Sequence, residues 1–100
     1  MAPLFSEVTK IIHDNEAEIK KFGVKEIYIF GSVVTGHAND ESDIDIFIVP
    51  DENQVIGLLK FISLNNFLTK ILGRKVDLAT RDSLHPELKD RIIQEAKRAA

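Results

Sequence analysis

The chain has 100 residues, 44% of them hydrophobic and 29% charged, and its formal net charge is −3. This composition is typical of a globular protein with one core, so we expect a single domain over residues 1–100, and the acidic balance argues against direct binding to a nucleic-acid backbone. No cysteine is available for disulfides, and no apolar run approaches the length of about 20 residues that crosses a bilayer, which favours a cytoplasmic protein without membrane contact.

The first third of the chain predicts a helix, a strand and a turn. Apolar residues recur at helical spacing over residues 5–22, and Gly23 is well placed to end that helix. Residues 27–30 form a wholly apolar run, as expected of a strand that is covered on both faces. Gly31 follows the strand directly, and we expect Ser32 to begin a short helical turn.

The rest of the chain predicts two more strands and two more helices. A strand over residues 44–49 precedes a long helix, which runs from about residue 52 to residue 72 and is ended by Gly73. Residues 76–79 form a short third strand, and Pro86 lies in the first turn of a last helix. The apolar stripe of that helix is formed by Leu84, Leu88, Ile92 and Ala96. This alternation predicts the α/β or α+β class, with helices packed against a small sheet.

Two carboxylates lie where the second strand should be most apolar. Asp43 and Asp45 alternate with isoleucines at positions 44, 46 and 48. Side chains two residues apart on a strand point to the same face, about 6.6 Å from each other, so both aspartates project away from the isoleucine face. Neighbouring carboxylates raise the pKa of one of them unless a cation compensates. Mg²⁺ is the natural compensator because it prefers hard oxygen ligands.

A further carboxylate belongs to the third strand. Asp77 lies between Val76 and Leu78, which we expect to face the core, so Asp77 faces away from the core. If the third strand lies beside the second, three carboxylates share one patch. The plainer alternatives are a solvated residue on an edge strand for Asp77 and a solvated acidic turn for the other two. Arg74 and Lys75, just before this strand, either neutralise pyrophosphate or acceptor groups or are simply cations at a helix C-terminus.

The turn after the first strand is suited to phosphate. Gly31 lets a phosphate approach the backbone closely, and the Ser32 hydroxyl and the backbone N–H groups of the turn are donors for an anion. A strand-ending glycine and an N-cap serine are the alternative roles. They do not compete with the first interpretation, because such a turn also binds phosphate.

These parts occur in a recognisable order. Gly31 and Ser32 are followed, after the ten residues 33–42, by Asp43-Ile44-Asp45, and a Val-Asp-Leu strand comes later. This pattern resembles the signature of the nucleotidyltransferase superfamily related to DNA polymerase beta. The segments GSVVTGH, SDIDIFIV, LGRKVDLAT and HPELKDRII are similar to its minimal nucleotidyltransferase (MNT) subfamily, and the resemblance extends from about residue 24 to the C-terminus.

The resemblance implies a small mixed sheet backed by helices and a reaction that moves AMP from ATP to a hydroxyl, releasing pyrophosphate. Two Mg²⁺ ions would be held by Asp43, Asp45 and Asp77, with Asp77 at the ion nearer the nucleophile. Gly31 and Ser32 would hold the β- and γ-phosphates. The metal site is expected at the edge of the sheet.

The resemblance also implies a partner. Many MNT proteins are antitoxins that silence a HEPN-domain ribonuclease toxin by adding AMP to one of its tyrosines, so such a toxin, or another acceptor protein, is the expected partner. The alternative is a non-catalytic antitoxin-like module that neutralises its partner by contact alone. The clustered carboxylates favour the enzyme, because a pure binder has no physical need for them.

The predicted long helix carries two apolar stripes. One suits the core and is formed by Phe61, Leu64, Leu68, Ile71 and Leu72. The other falls on roughly the opposite side and is formed by Val55, Leu58, Leu59 and Ile62. Either the helix breaks around residues 63–66, or the second stripe is an exposed patch that binds a partner or a second copy of the chain. We favour the patch.

Overall fold

The structure, a computed structural model, describes residues 2–52 and 55–100. Within these ranges a single sheet has the strand order β3-β2-β1-β4, and β1 runs antiparallel to β2 and β4, whereas β2 and β3 are parallel. The strands are β1 (Val24–Phe30), β2 (Ile44–Pro50), β3 (Val76–Thr80) and β4 (Lys97–Arg98). The sheet is therefore small and mixed, as the resemblance implies.

Helices connect and cover the strands. They are α1 (Phe5–Asp14), α2 (Glu16–Lys20), α3 (Ser32–Thr35), α4 (Leu58–Leu72) and α5 (Pro86–Glu95), with a 3-10 turn at Arg81–Ser83. No helix in the described ranges has both the length and the apolar character needed to cross a bilayer.

Two predicted helices have wrong boundaries, and one strand was missed. The single helix expected over residues 5–22 is α1 and α2, because the chain bends at Asn15, whose Nδ2 donates to the Ile11 carbonyl at 2.8 Å. The helix expected from residue 52 begins at Leu58, since Gly57 is extended and serves as its N-cap; residues 53 and 54 of that prediction lie outside the described residues. The strand β4 was not predicted at all.

The core lies on one face of the sheet. Isoleucines of β1 and β2 pack there with Val76 and Leu78 of β3 against α1, α2 and α4, whose Ile12, Ile19 and Leu64 are fully buried. Each such side chain contributes about 1.5–3 kcal/mol on burial, so this face holds the sheet and helices together. The other face carries the stacked rings of Tyr28 and Phe47, 4.8 Å apart, with Ile93 of α5 beside them.

Helix α4 is continuous, so the alternative of a break around residues 63–66 is wrong. Its Leu64 and Leu68 are fully buried. The exposed fractions on the other side are 94% for Val55, 73% for Leu58, 82% for Leu59 and 46% for Ile62. These four residues, Val55 lying just before the helix, form the α4 patch, and the prediction that they are exposed is confirmed.

Candidate active site

The parallel pairing of β2 with β3 sets Asp45 opposite Asp77 in register. The neighbours on both strands, such as Ile44 and Val76, are buried in the core, so the two carboxylates leave the sheet from its other face. Asp45 is partly buried and Asp77 is exposed. The register therefore brings two of the three predicted carboxylates side by side.

Asp43 comes one residue before the first β2–β3 pair, which joins Ile44 and Val76. Its Oδ2 lies 3.9 Å from Nζ of Lys75, and both side chains are substantially exposed. Among residues 2–52 and 55–100, no group of three His, Cys, Asp or Glu side chains is close enough to hold a metal ion. With the Asp43 side chain beside Lys75, the three carboxylates are neighbours rather than a closed set of ligands.

Negative charge accumulates at Asp45. Burial of the carboxyl group, followed by repulsion from Asp77 and Asp43, raises the pKa of Asp45 from 3.8 to about 6. No positive group in the described part of the chain offsets this shift. Carboxylate oxygens are the ligands that Mg²⁺ prefers, and a divalent cation would relieve the repulsion. The donor set and its electrostatics thus fit such an ion.

Gly31 packs against this carboxylate. Its φ of 74° and ψ of −150° lie in a region that essentially only glycine occupies. A Cβ at Gly31 would also collide with Oδ2 of Asp45 and lie 3.0 Å from its Cγ. The backbone conformation and the lack of space for a Cβ therefore both require glycine at position 31. The backbone of the turn lies directly against the Asp45 side chain.

Ser32 is the first residue of α3, and Gly31 is the N-cap, so the alternative of an N-cap serine is wrong. The Gly31 carbonyl accepts hydrogen bonds from the backbone N–H groups of Val34 and Thr35, both at 3.1 Å. This short helix follows the end of β1, whose last residue, Phe30, pairs with Asp45. The predicted phosphate turn and the predicted carboxylates therefore lie next to each other.

Arg74 holds the loop that leads into Asp43. Its Nη1 donates to the carbonyl oxygens of Asp40, at 2.7 Å, and Ser42, at 3.3 Å. The Ser42 hydroxyl accepts from the Asn39 backbone N–H at 2.8 Å within the same turn. Sequence reasoning missed the two contacts of Arg74. Its partners, Asp40 and Ser42, lie 34 and 32 residues earlier in the chain, and no local sequence pattern indicates such contacts.

A glycine turn that closes onto one of two paired strand carboxylates, on a small mixed sheet backed by helices, is the arrangement of a nucleotidyltransferase. The family profile described as nucleotidyltransferase domain matches residues 10–99, and the chain belongs to this family. It is 38% identical over 90 residues to the protein adenylyltransferase MntA of Thermococcus cleftensis, an alignment that covers 89% of each chain. The protein is thus a nucleotidyltransferase, as the sequence predicts.

Solved structures share the fold. A protein described as a minimal nucleotidyltransferase superposes with a TM-score of 0.69 at 26% identity, covering 92% of this chain and 88% of that one. A chain of a mutant MntA–HpeT toxin–antitoxin complex superposes with a TM-score of 0.63 at 25% identity, covering 93% of this chain and 68% of that one. The likeness therefore extends over nearly the whole of this chain.

Proposed function

We propose that this protein is an antitoxin that transfers AMP from ATP to a hydroxyl, most simply a tyrosine, of a partner protein such as a HEPN-type ribonuclease toxin. The observation that carries the proposal is the register of Asp45 opposite Asp77 beside the Gly31 turn. Two relatives support the acceptor class. MntA of T. cleftensis is named a protein adenylyltransferase, and the solved complex that contains an MntA is described as a toxin–antitoxin complex.

In this proposal Asp43, Asp45 and Asp77 hold two Mg²⁺ ions. Support comes from their all-oxygen donor set and from the raised pKa of Asp45, which reflects burial of its carboxyl group and then repulsion from Asp77 and Asp43. When bound, such ions neutralise phosphate charge and lower the pKa of an attacking hydroxyl. Asp43 joins the set by turning from Lys75 toward Asp45.

The turn after β1 is assigned to the phosphates of ATP. The Gly31 backbone and the Ser32 hydroxyl bind the β- and γ-phosphates. In the strand order β3-β2-β1, Asp45 lies between Gly31 and Asp77. An in-line displacement needs its attacking and leaving groups on opposite sides of the phosphorus, so this order suits a leaving pyrophosphate on the β1 side and an acceptor on the β3 side.

Asp77 is assigned the role of binding the acceptor hydroxyl. Its exposure leaves room for a hydroxyl carried by a macromolecule. Asp77 orients that hydroxyl and accepts its proton, the hydroxyl oxygen bonds to the α-phosphorus, and the bond from the α-phosphorus to the pyrophosphate oxygen breaks. The products are the AMP-modified acceptor and pyrophosphate.

The α4 patch is proposed as the contact between two copies of the chain. Four aliphatic side chains, those of Val55, Leu58, Leu59 and Ile62, are exposed together. A contiguous apolar patch of this kind marks a site of protein–protein contact. A two-fold axis would place the same patch on both sides of the contact. Because α4 packs on the core face of the sheet, such a pairing leaves the carboxylate face open to an acceptor.

The test is a transfer assay. Purified protein, Mg²⁺ and each of the four nucleoside triphosphates are incubated with the co-purifying partner, which is then examined by intact-mass and peptide mass spectrometry. We expect addition of AMP, from ATP only, to a tyrosine of the partner. An Asp77→Asn variant that silences the partner fully without any mass change would instead support the contact-only antitoxin.

A further inference from the structure

The loop that precedes β2 is hydrogen-bonded to the two residues that precede β3. Arg74 donates to the carbonyls of Asp40 and Ser42, and the Ile44 N–H donates to the Lys75 carbonyl at 3.0 Å. Asp43 lies between these attachments. It belongs to neither the strand ladder nor the turn, whose last internal bond runs from the Ser42 N–H to the Asn39 carbonyl at 3.1 Å.

The Ser42 carbonyl is the decisive acceptor. It belongs to the peptide unit that joins Ser42 to Asp43, and a peptide unit is planar. Holding its oxygen fixes the orientation of that plane, and therefore the direction in which the Asp43 side chain leaves the backbone. The ladder bond at Ile44 fixes the other side. With both sides fixed, Asp43 has little freedom except at its own side-chain torsions.

From these contacts we infer that Arg74 is a positioning residue, which aims Asp43 at the carboxylate pair by holding the Ser42 and Asp40 carbonyls. The inference deepens the proposed function and rests on it for the role of Asp43. A guanidinium suits this task because Nη1, held in the plane of the fork, directs its N–H groups to both carbonyls at fixed angles, whereas an ammonium is a point charge on a flexible stem. Arg74 touches no reacting atom and is not a catalytic residue.

The experiment compares three variants of the full chain. Arg74→Ala removes the fork, Arg74→Lys keeps the charge but not the fork, and Arg91→Ala is the matched control. Arg91 is an exposed arginine of α5 whose Nε pairs with Glu95 at 3.2 Å, so its loss changes the net charge equally. The readouts are melting temperature, amide hydrogen exchange at Ile44, whose N–H donates to the Lys75 carbonyl, and Mn²⁺ affinity without nucleotide.

We expect Arg74→Ala to weaken Mn²⁺ binding by about tenfold or more, the usual effect of losing a group that orients a metal ligand. Amide exchange at Ile44 should accelerate while exchange at Ile46, inside the strand ladder, stays slow. Arg74→Lys should fall between wild type and Arg74→Ala, and Arg91→Ala should match wild type. A change of less than about twofold in Mn²⁺ affinity for Arg74→Ala, or an equal change for Arg91→Ala, overturns the inference.

Two further outcomes are informative. If Arg74→Ala does not fold, Arg74→Lys decides: weaker Mn²⁺ binding than Arg91→Ala supports the inference, and equal binding overturns it. If the wild-type protein binds no Mn²⁺, the proposed function fails. Amide exchange at Ile44 then still tests the positioning role, since an unchanged rate in Arg74→Ala contradicts it.

Discussion

Asp45 and Asp77 lie directly opposite each other on the parallel strands β2 and β3. Asp45 is the more buried of the two, and its pKa is raised to about 6 by that burial and by the charges of Asp77 and Asp43. This environment destabilises the metal-free fold, because burial and the neighbouring charges disfavour the ionised form of Asp45. Such a cost is reasonable where a cation is meant to bind.

Asp45→Asn should therefore stabilise the metal-free protein while abolishing nucleotidyl transfer. Removing one of the repelling charges should raise the free energy of unfolding at pH 7.5 by about 1 kcal/mol, or the melting temperature by roughly 4–8 °C. This gain is smaller than the full pKa shift implies, since solvent screens a partly exposed group. Thermal unfolding in EDTA measures it. Asp90→Asn, on exposed α5, is the control and should change neither stability nor transfer; destabilisation by Asp45→Asn would contradict the repulsion.

The same repulsion predicts a pH dependence of stability. The folded-state pKa of Asp45, about 6, lies above its ordinary value of 3.8, so the native protein holds this proton more tightly than the unfolded chain does. This carboxyl group therefore lowers stability as the pH rises from about 3.8 to about 6 and adds no further slope above that range. Urea unfolding of wild type and Asp45→Asn across this range isolates the contribution. Equal slopes for the two proteins would contradict it.

Mg²⁺ should compete with that proton. A ligand must be deprotonated to bind a metal, so stabilisation by Mg²⁺ should be small below the Asp45 pKa and grow as the pH rises through about 6. Melting temperatures with and without saturating Mg²⁺ at each pH provide the measurement. A stabilisation that does not depend on pH would mean that Asp45 is not a ligand.

Gly31→Ala should be far more damaging than Gly36→Ala. Both glycines have positive φ, 74° and 81°, but a Cβ at Gly31 meets Asp45 whereas a Cβ at Gly36 meets nothing within 4 Å. Gly36→Ala therefore measures the backbone strain alone, about 1–2 kcal/mol. Gly31→Ala should cost about 2 kcal/mol more and should lose ATP binding, as denaturant titration and calorimetry would record. Equal costs would show that the turn does not press on the carboxylate.

Leu59→Glu should abolish self-association and leave the fold intact. Leu59 is 82% exposed, so its replacement should change the free energy of unfolding by no more than about 0.5 kcal/mol. Leu64→Ala, on the buried side of the same helix, should instead cost about 2–5 kcal/mol and leave association unaltered. Sedimentation velocity gives the oligomeric state. A wild-type monomer, or a Leu59→Glu protein that still associates, would contradict a contact through the α4 patch.

Strands β1, β2 and β3 and the face on which the aspartates lie could be predicted from the sequence because both depend on local alternation. Asp43, Asp45 and Asp77 each stand beside residues that must be buried, and a strand puts alternate side chains on opposite faces. Their positions on one face need only the further condition that β3 pairs with β2. The α4 patch was predictable for a similar reason, since helical spacing separates Leu59 from Leu64.

Features that depend on individual hydrogen bonds were not predictable from the sequence. The predicted stripe of the last helix includes Ala96, yet α5 ends at Glu95, and the Ala99 N–H donates to the Ile27 carbonyl of β1 at 2.8 Å. The bend at Asn15 depends on a side-chain hydrogen bond that competes with the helix. The Arg74 contacts depend on the fold that places the α4–β3 turn beside the loop before β2.

The central claim is that Asp43, Asp45 and Asp77 share metal ions beside a phosphate-binding turn. The most direct measurement is anomalous diffraction from crystals grown with Mn²⁺ and a non-hydrolysable ATP analogue. The account predicts Mn²⁺ peaks in contact with oxygens of all three aspartates, and the β- and γ-phosphates against Gly31 and Ser32. Mn²⁺ bound elsewhere, or a triphosphate seated away from Gly31, would contradict it.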